Sequence, residues 1–435
     1  MLMLIKIFLL VLLAPNLVYA LPKIQEWKTD NGVRVLLVEA HELPMVEVSM
    51  AFDAAASRDP KGKSGLASVV SQMLSQGAGV GDKYQNADQL AESIESIGVE
   101  FNQGSARDMS TIGMRSLSEE AILQQAAELY ALMVASPTFE EDVLKREIQR
   151  AEVGLARQKQ SPGSVASKEL LSTIYRNHPY GESPEITSLA KITVADVKDF
   201  HQRYFVAKNA VLVIVGDVSR QRAEELAKTI TKDLKPGEKP QAIPQVEIVE
   251  ALNKDVIFES SQSHIRFGFP VLKRGNPDLY PLYVGNYILG GSGLIARLAV
   301  EVREKRGLSY SVYSYFSPMK EKGPFVVGLQ TRNDQRDEAI EVVRNTIKEF
   351  VEKGPTDEEV LKAKKNITGG FALRISGNGK IASSLLSAAF YNRPLDYLET
   401  YIDIINDIST DEVRAAVKKY IDVDKLTQVV VGGRT

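Results

Sequence analysis

The feature that most limits what this chain can fold into is its agreement with itself. Ile192-Thr-Val-Ala-Asp-Val197 recurs 216 residues later as Ile408-Ser-Thr-Asp-Glu-Val413. At the same offset Tyr204 meets Tyr420, and Val213-Ile214-Val215-Gly216 meets Val429-Val430-Val431-Gly432. Val165-Ala166-Ser167 likewise meets Ile381-Ala382-Ser383, and Tyr175 meets Tyr391, with no gap between the matches. Agreement over so long a span means two homologous halves, each repeating one structural unit.

Within each half, strand-like runs come before helices. Val33–Val38 and Val46–Phe52 open the first half, and Asp255–Phe258 and His264–Gly268 open the second; β-branched and aromatic residues in short runs predict strands. Apolar residues at helical spacing follow over Asn86–Ser96, Glu119–Ala135 and Gln335–Glu352. Each half then closes on an apolar run ending in Gly. Strands and helices in mixed order, without regular βαβ alternation, predict an α+β fold of two homologous halves. Asp233-Leu234-Lys235-Pro236-Gly237-Glu238-Lys239-Pro240 has the composition of an exposed linker. The predicted division is therefore a first domain over 21–233, a linker over 234–250 and a second domain over 251–435.

Residues 1–20 stand apart. Lys6, the apolar run Ile7–Leu13 and Val18-Tyr19-Ala20 before Leu21 have the pattern of a secretory signal, and the run is too short to span a bilayer. The expected location is the periplasm, with no membrane attachment after cleavage. Cysteine is absent, which excludes a disulfide framework and thiolate metal sites. Fifty-six acidic against 53 basic residues, with mixed signs, give no footprint for nucleic acid.

Short motifs lie on this frame in a fixed order. The first half carries Gly65–Leu74, Ser161-Pro162, His178-Pro179-Tyr180-Gly181 and Val215-Gly216-Asp217. The second carries Leu289-Gly290-Gly291-Ser292-Gly293, Arg297-Leu298 and the run from Val302 to Tyr310, Val-Arg-Glu-Lys-Arg-Gly-Leu-Ser-Tyr. Taken together, in this order and spacing, they resemble the pitrilysin/insulinase/mitochondrial-processing-peptidase-type zinc metallopeptidases. The resemblance implies two α+β halves that form half of a clam-like shell around a peptide-binding chamber.

The chain departs from that family at the metal. Family members carry H-x-x-E-H on the helix that Gly65–Leu74 resembles. Two His bind zinc there and the Glu acts as general base. Here those positions are Ser68, Ser71 and Gln72. The third ligand, a Glu on a later helix, falls on Val153, and neighbouring Glu152 is about 100° of helix rotation away. The four histidines, His41, His178, His201 and His264, offer no pair at helical spacing. No metal is expected in this chain.

The second-half motif is intact. The family places an Arg and a Tyr seven residues apart, and the resemblance gives them contacts to the substrate backbone and to the tetrahedral intermediate. Arg303 and Tyr310 hold that spacing, whereas Arg306 does not. A guanidinium and a phenol are both suited to donating to carbonyl and oxyanion oxygens. Gly290, Gly291 and Gly293 admit two interpretations, a substrate-facing loop or a plain turn. The expectation is thus a non-catalytic subunit of a heteromeric zinc metallopeptidase. A homologous partner chain would carry the zinc, and this chain would lend Arg303 and Tyr310 to a shared peptide substrate. The alternative is a binding or scaffold protein of the same fold.

Overall fold

The β-branched runs assemble two mixed sheets on one plan. A computed structural model describes residues 23–433, so the expected signal over 1–20 lies outside the described residues. The first sheet comprises β1 (Gln25–Lys28), β2 (Arg34–Glu39), β3 (Met45–Phe52), β4 (Glu100–Ser105), β5 (Ser110–Leu117) and β6 (Ala210–Gly216), ordered β1-β2-β6-β3-β5-β4. The second comprises β7 (Asn253–Ile257), β8 (Gln262–Leu272), β9 (Val312–Phe316), β10 (Gly323–Arg332) and β11 (Thr427–Gly432), ordered β9-β10-β8-β11-β7. Without β1 the two orders coincide. The parallel ladder also falls in the same place, β2 with β6 and β7 with β11. The repeat in the sequence is a repeat of topology.

The first-half helices are α1 (Leu66–Met73), α2 (Ala87–Ser96), α3 (Glu120–Ala135), α4 (Glu141–Lys159), α5 (Pro162–Ile174), α6 (Val194–Tyr204) and α7 (Arg220–Thr231). The second half contributes α8 (Leu279–Asn286), α9 (Arg336–Lys353), α10 (Asp357–Gly369), α11 (Asn378–Phe390), α12 (Tyr397–Asp407) and α13 (Thr410–Tyr420). The repeated motifs at 192–197 and 408–413 turn out to be helix starts. Thr193 with Asp196 closes a capping box on α6, and Ser409 with Glu412 closes one on α13. Each satisfies backbone N–H groups that the first helical turn leaves unpaired.

Alternation along the strands explains how the halves are joined. Val35, Leu37, Leu212 and Ile214 face a core shared with α1, α3 and α7. Leu36, Val38, Val213 and Val215 face the other way and pack against second-half residues, among them Ala382, Leu385 and Ala389 of α11. In return, α5 of the first half lies on β8 and β11, setting Ala166, Leu170 and Ile174 against Val429 and Val431. The halves exchange a helix. Strands covered on both faces read as continuous apolar runs, as Val213–Val215 and Val429–Val431 do. The seam is reciprocal in its polar contacts as well. Tyr175 donates to the Lys322 carbonyl (2.9 Å) and its repeat Tyr391 donates to Asp108 (3.0 Å), each reaching a hairpin turn of the opposite half.

The segment 234–250 is mostly exposed but pinned at three points. It contains no helix or strand, yet Leu234, Ile243 and Val246 are buried. Its Gln241 and Pro244 carbonyls accept from Arg58 and His178. Its apolar residues sit at a periodicity too sparse to register in a Pro- and Lys-rich stretch. Among the described residues, no helix is long and apolar enough to cross a membrane.

Candidate functional site

Helix α1 is held from its start by a residue outside it. Gly65, with φ +104°, contributes no side-chain cap, and the Asp59 carboxylate instead accepts from the Gly65 and Ala67 amides at 2.7 and 2.8 Å. Burial pushes Asp59 up to about 7, while those two amide bonds work to keep it charged. Leu66, Ala67, Val69, Val70 and Met73 turn inward, leaving Ser68 and Gln72 exposed one helical turn apart. Ser71 is fully buried, and its hydroxyl has no partner among the described residues. α1 packs on α4, where Val153 is 53% exposed. The structure therefore brings all four expected positions onto two adjacent helices, with no imidazole or carboxylate among them. They do not fit a zinc ion. Among the described residues, no group of three or more His, Cys, Asp or Glu side chains is arranged to hold a metal.

The histidines are dispersed. His41 bonds Asp217 at the surface, and that bond raises its pKa. His178 bonds the Pro244 carbonyl, and His201 bonds that of Val134. Burial pushes His201 down to about 4 and lowers His264 as well.

The second-half segment has a different character. α8 continues into a π-turn at Tyr287–Gly291, and a second π-turn spans Val300–Glu304. Such wide turns recur at functional sites, and nothing in the sequence announced them. Arg303 lies in the second π-turn. The chain then reverses at Gly307 (φ +63°), whose amide bonds the Arg303 carbonyl, and buried Leu308 pins the turn. This reversal brings Tyr310 back so that the Arg303 guanidinium stacks 4.7 Å from its ring centroid. Tyr310 is 80% exposed.

The neighbouring arginines are committed elsewhere. Arg297 makes a two-pronged pair with Glu359; burial of Glu359 opposes its charge, but the Arg297 bonds hold it down to about 2. Arg306 pairs with Glu301 at 2.7 Å. Arg303 alone of the three has no ion pair or side-chain hydrogen bond among the described residues, which leaves its donors for a ligand.

The glycines divide. A Cβ at Gly290 would lie 2.4 Å from Ser314 Oγ, so this residue is buried packing against β9, and the substrate-facing expectation is corrected there. Gly291 is exposed but tight against Asn286, and Gly293 stands open with φ +68°. Sequence reasoning stopped at these glycines and passed over Leu294 and Ile295, which are 63% and 69% exposed. Two aliphatic residues directly after a Gly-rich turn were the available signal.

Residues 34–187 match the family model described as Insulinase (Peptidase family M16), and residues 191–367 match that described as Peptidase M16 inactive domain. The crystal structure of a peptidase M16 inactive domain from Pseudomonas fluorescens shares the fold with a TM-score of 0.90 and 35% sequence identity, over 95% of this chain and 98% of that one. The chain belongs to the M16 peptidase family. It is a non-catalytic M16 member, as the composition of α1 and α4 requires. The Helicobacter pylori protein called non-peptidase homolog YmxG is 27% identical, with 92% of each chain covered. The periplasmic protease PqqL of Escherichia coli has the same fold at 15% identity and a TM-score of 0.80. The match covers 94% of this M16 chain but 45% of PqqL.

Proposed function

We propose that this chain is the non-catalytic subunit of a heteromeric zinc metallopeptidase, lending Arg303 and Tyr310 to peptides bound against a zinc-bearing partner. One observation carries the proposal. The positions that would hold metal have lost every ligand, whereas Arg303 and Tyr310 stand stacked, with donors uncommitted. The share of PqqL that is matched supports it: a chain about twice this length contains one such unit and room for a second. A partner's zinc would polarise the scissile carbonyl and activate water. This chain's part is to hold the peptide backbone with the guanidinium and to donate from the Tyr310 hydroxyl towards the developing oxyanion. Periplasmic residence follows from the pattern of residues 1–20 and agrees with the location given for PqqL.

The test is reconstitution with an M16 chain from the same cell that has an intact H-x-x-E-H. The mixture is expected to cleave an unstructured fluorogenic peptide that this chain alone leaves uncut. Tyr310→Phe should lower turnover at least about tenfold while the complex still assembles. Cleavage that is the same with and without this chain overturns the proposal. The scaffold alternative takes the same uncommitted donors the other way. Among the described residues neither side chain of the pair is anchored by a hydrogen bond, and loosely supported groups are poorly placed for transition-state work. Under that alternative the complex forms, no peptide is cut, and substitutions of Arg303 and Tyr310 are silent.

A further inference from the structure

The two halves differ on the sheet face that the exchanged helix covers. In the second half α5 lies on β8 and β11, and beyond it the face opens towards β9, where Tyr315 is 44% exposed. Register sets Arg266, Gly328 and Tyr313 in one row across β8, β10 and β9, with His264 beside Gln330 in an adjacent row. A Cβ at Gly328 would lie 2.6 Å from the Tyr313 hydroxyl, so the ring lies across β10. The Arg266 guanidinium is 5.8 Å from its centroid. The matching row of the first half is Ser49, Gly113 and Asn102, uncharged throughout, and nearby Arg115 is paired with Glu47 and Glu100.

Arg266 has no such partner. It is 9% exposed and makes no ion pair among the described residues. Its bonds run to neutral oxygens, Ser167 Oγ at 3.3 Å and the Ile265 and Leu329 carbonyls at 2.9 and 3.4 Å. A buried guanidinium without a carboxylate is costly. Its position adds to the cost, because Nη2 lies 3.5 Å from where a Cβ on Gly163 would stand, and Gly163 is the second residue of α5, whose N-terminus carries partial positive charge. Nη2 makes no hydrogen bond among the described residues, and unlike the Ser71 hydroxyl it is not sealed from solvent.

The surrounding groups are donors as well. The Tyr313 and Tyr315 phenols and the Gln330 amide make no side-chain hydrogen bond among the described residues. From the first half, Arg107 in the β4–β5 turn donates to the Tyr180 carbonyl, and the cations acting on Tyr315 are Arg266 and Arg107. The nearby acids are engaged. Glu169 of α5 is held by Lys254 at 2.5 Å and Glu185 by Lys168, while Asp108 accepts from Tyr180, Tyr391 and the Lys320 amide. Arg266 is the one charge that acts on His264.

We propose that this open face binds a carboxylate of the peptide, held by Arg266 Nη2 beside the first turn of α5 and by the Tyr313 and Tyr315 hydroxyls, so that the substrates are acidic peptides. The proposal rests on this chain being a peptide-binding subunit and names the substrate class. Tyr313 is three residues beyond Tyr310, at most about 10 Å of chain, so a peptide held at Arg303 and Tyr310 has few residues to run before it reaches Arg266. An acidic side chain or a C-terminus supplies the same carboxylate, and its charge-assisted bonds to a guanidinium are the stronger kind.

Calorimetric titration of the purified full chain, without a partner, tests this and separates the two sources. The probes are four N-acetylated octapeptides of one otherwise neutral sequence, with Glu or Gln at the centre and a carboxylate or an amide at the C-terminus. At least one single-carboxylate peptide is expected to bind saturably, one per chain, at least about fivefold more tightly than the Gln amide, and which one does so identifies the source. Arg266→Gln should erase the difference and Arg266→Lys restore part of it, with thermal unfolding reporting that each variant folds. Where Arg266→Gln does not fold, Tyr315→Phe at the exposed end should shrink the difference at least about twofold. Arg303→Ala should weaken all four peptides alike and leave the difference intact, so failure of the Arg303 contact and failure of this subsite read out separately. Equal affinity for all four peptides, no saturable binding below about 10 mM, or a difference undiminished in folded Arg266→Gln or, failing that, in Tyr315→Phe, overturns the proposal.

Discussion

Helices α1 and α8 are the same element twice, α1 following β3 as α8 follows β8, and the chain has treated them in opposite ways. α1 runs regularly to its end, presents Ser68 and Gln72 to solvent and seals Ser71 inside. α8 breaks into a π-turn and leads to an open glycine, two exposed aliphatics, and the Arg303–Tyr310 stack. One unit has kept its packing and lost its chemistry; its repeat has kept irregular backbone around uncommitted polar groups. Duplication therefore fixes architecture without fixing function, because the core-facing residues of both copies answer to the same packing while the outward ones do not.

The comparison breaks first if the halves are not mutually dependent. Leu170 of α5 and Leu385 of α11 are fully buried leucines, one on each exchanged helix. Leu170→Ala and Leu385→Ala are each expected to cost about 2–5 kcal/mol, and each should lower a single cooperative transition, since each helix covers the other half's sheet. Two separate transitions in calorimetry, with only the sequence-local half destabilised, would refute the exchange.

One acid-sensitive group of the first half has no counterpart in the second. His201 is matched 216 residues on by Val417, a buried residue with nothing to titrate. The folded-state pKa of His201, about 4, lies below its ordinary value of 6.5, so its contribution is fully present above pH 6.5 and is lost as pH falls through that window to 4. The loss amounts to about 3 kcal/mol at the bottom of the window. Asp59, raised to about 7, titrates with the opposite sign over the same range, so the informative quantity is a difference: from pH 7 to 4 the denaturant midpoint of the native chain should decline more steeply than that of His201→Gln. An equally steep decline in His201→Gln would place the acid sensitivity elsewhere.

Among the arginines, the comparison sharpens to a single side chain. In a reconstituted complex, Arg303→Ala is expected to reduce turnover by about a hundredfold, roughly the loss of one transition-state donor, whereas Arg306→Ala, already paired with Glu301, should change it less than about twofold. Equal losses from both would mean that charge near the motif, and not the Arg303 geometry, is what matters.

How much of this was legible beforehand depended on what kind of information each residue carries. Repeat offset and strand runs are local and periodic, so the two α+β halves were legible in the recurrence of 192–197 at 408–413. The missing metal positions were visible for the same reason, being substitutions at fixed spacing. The exchange of α5 and α11 was not, since a helix with one apolar face does not say whose sheet it covers. Nor were the π-turns or the commitment of Arg297 and Arg306, which depend on Glu359 and Glu301 arriving in space. Gly290 was misjudged because close packing and ligand access both call for glycine, and only the position of Ser314 separates them.

The smallest expected effect bears most directly on whether α1 is an idle element. Ser71 and Ser314 are both buried serines near the two contrasted segments. Ser314 donates to Asn286 at 2.7 Å and its carbonyl accepts from the same amide, while the Ser71 hydroxyl has no partner among the described residues. Removing a satisfied hydroxyl leaves Asn286 short of a donor, so Ser314→Ala should destabilise by about 1 kcal/mol. Removing an orphan one sheds a desolvation penalty and gains helix propensity, so Ser71→Ala should stabilise by about 0.5–1 kcal/mol. Opposite signs in chemical denaturation mean that α1 holds a group with no remaining work while the second-half site is built around its own. A destabilising Ser71→Ala would instead mean that the hydroxyl is bonded in solution, and the contrast between the two helices would lose its clearest physical mark.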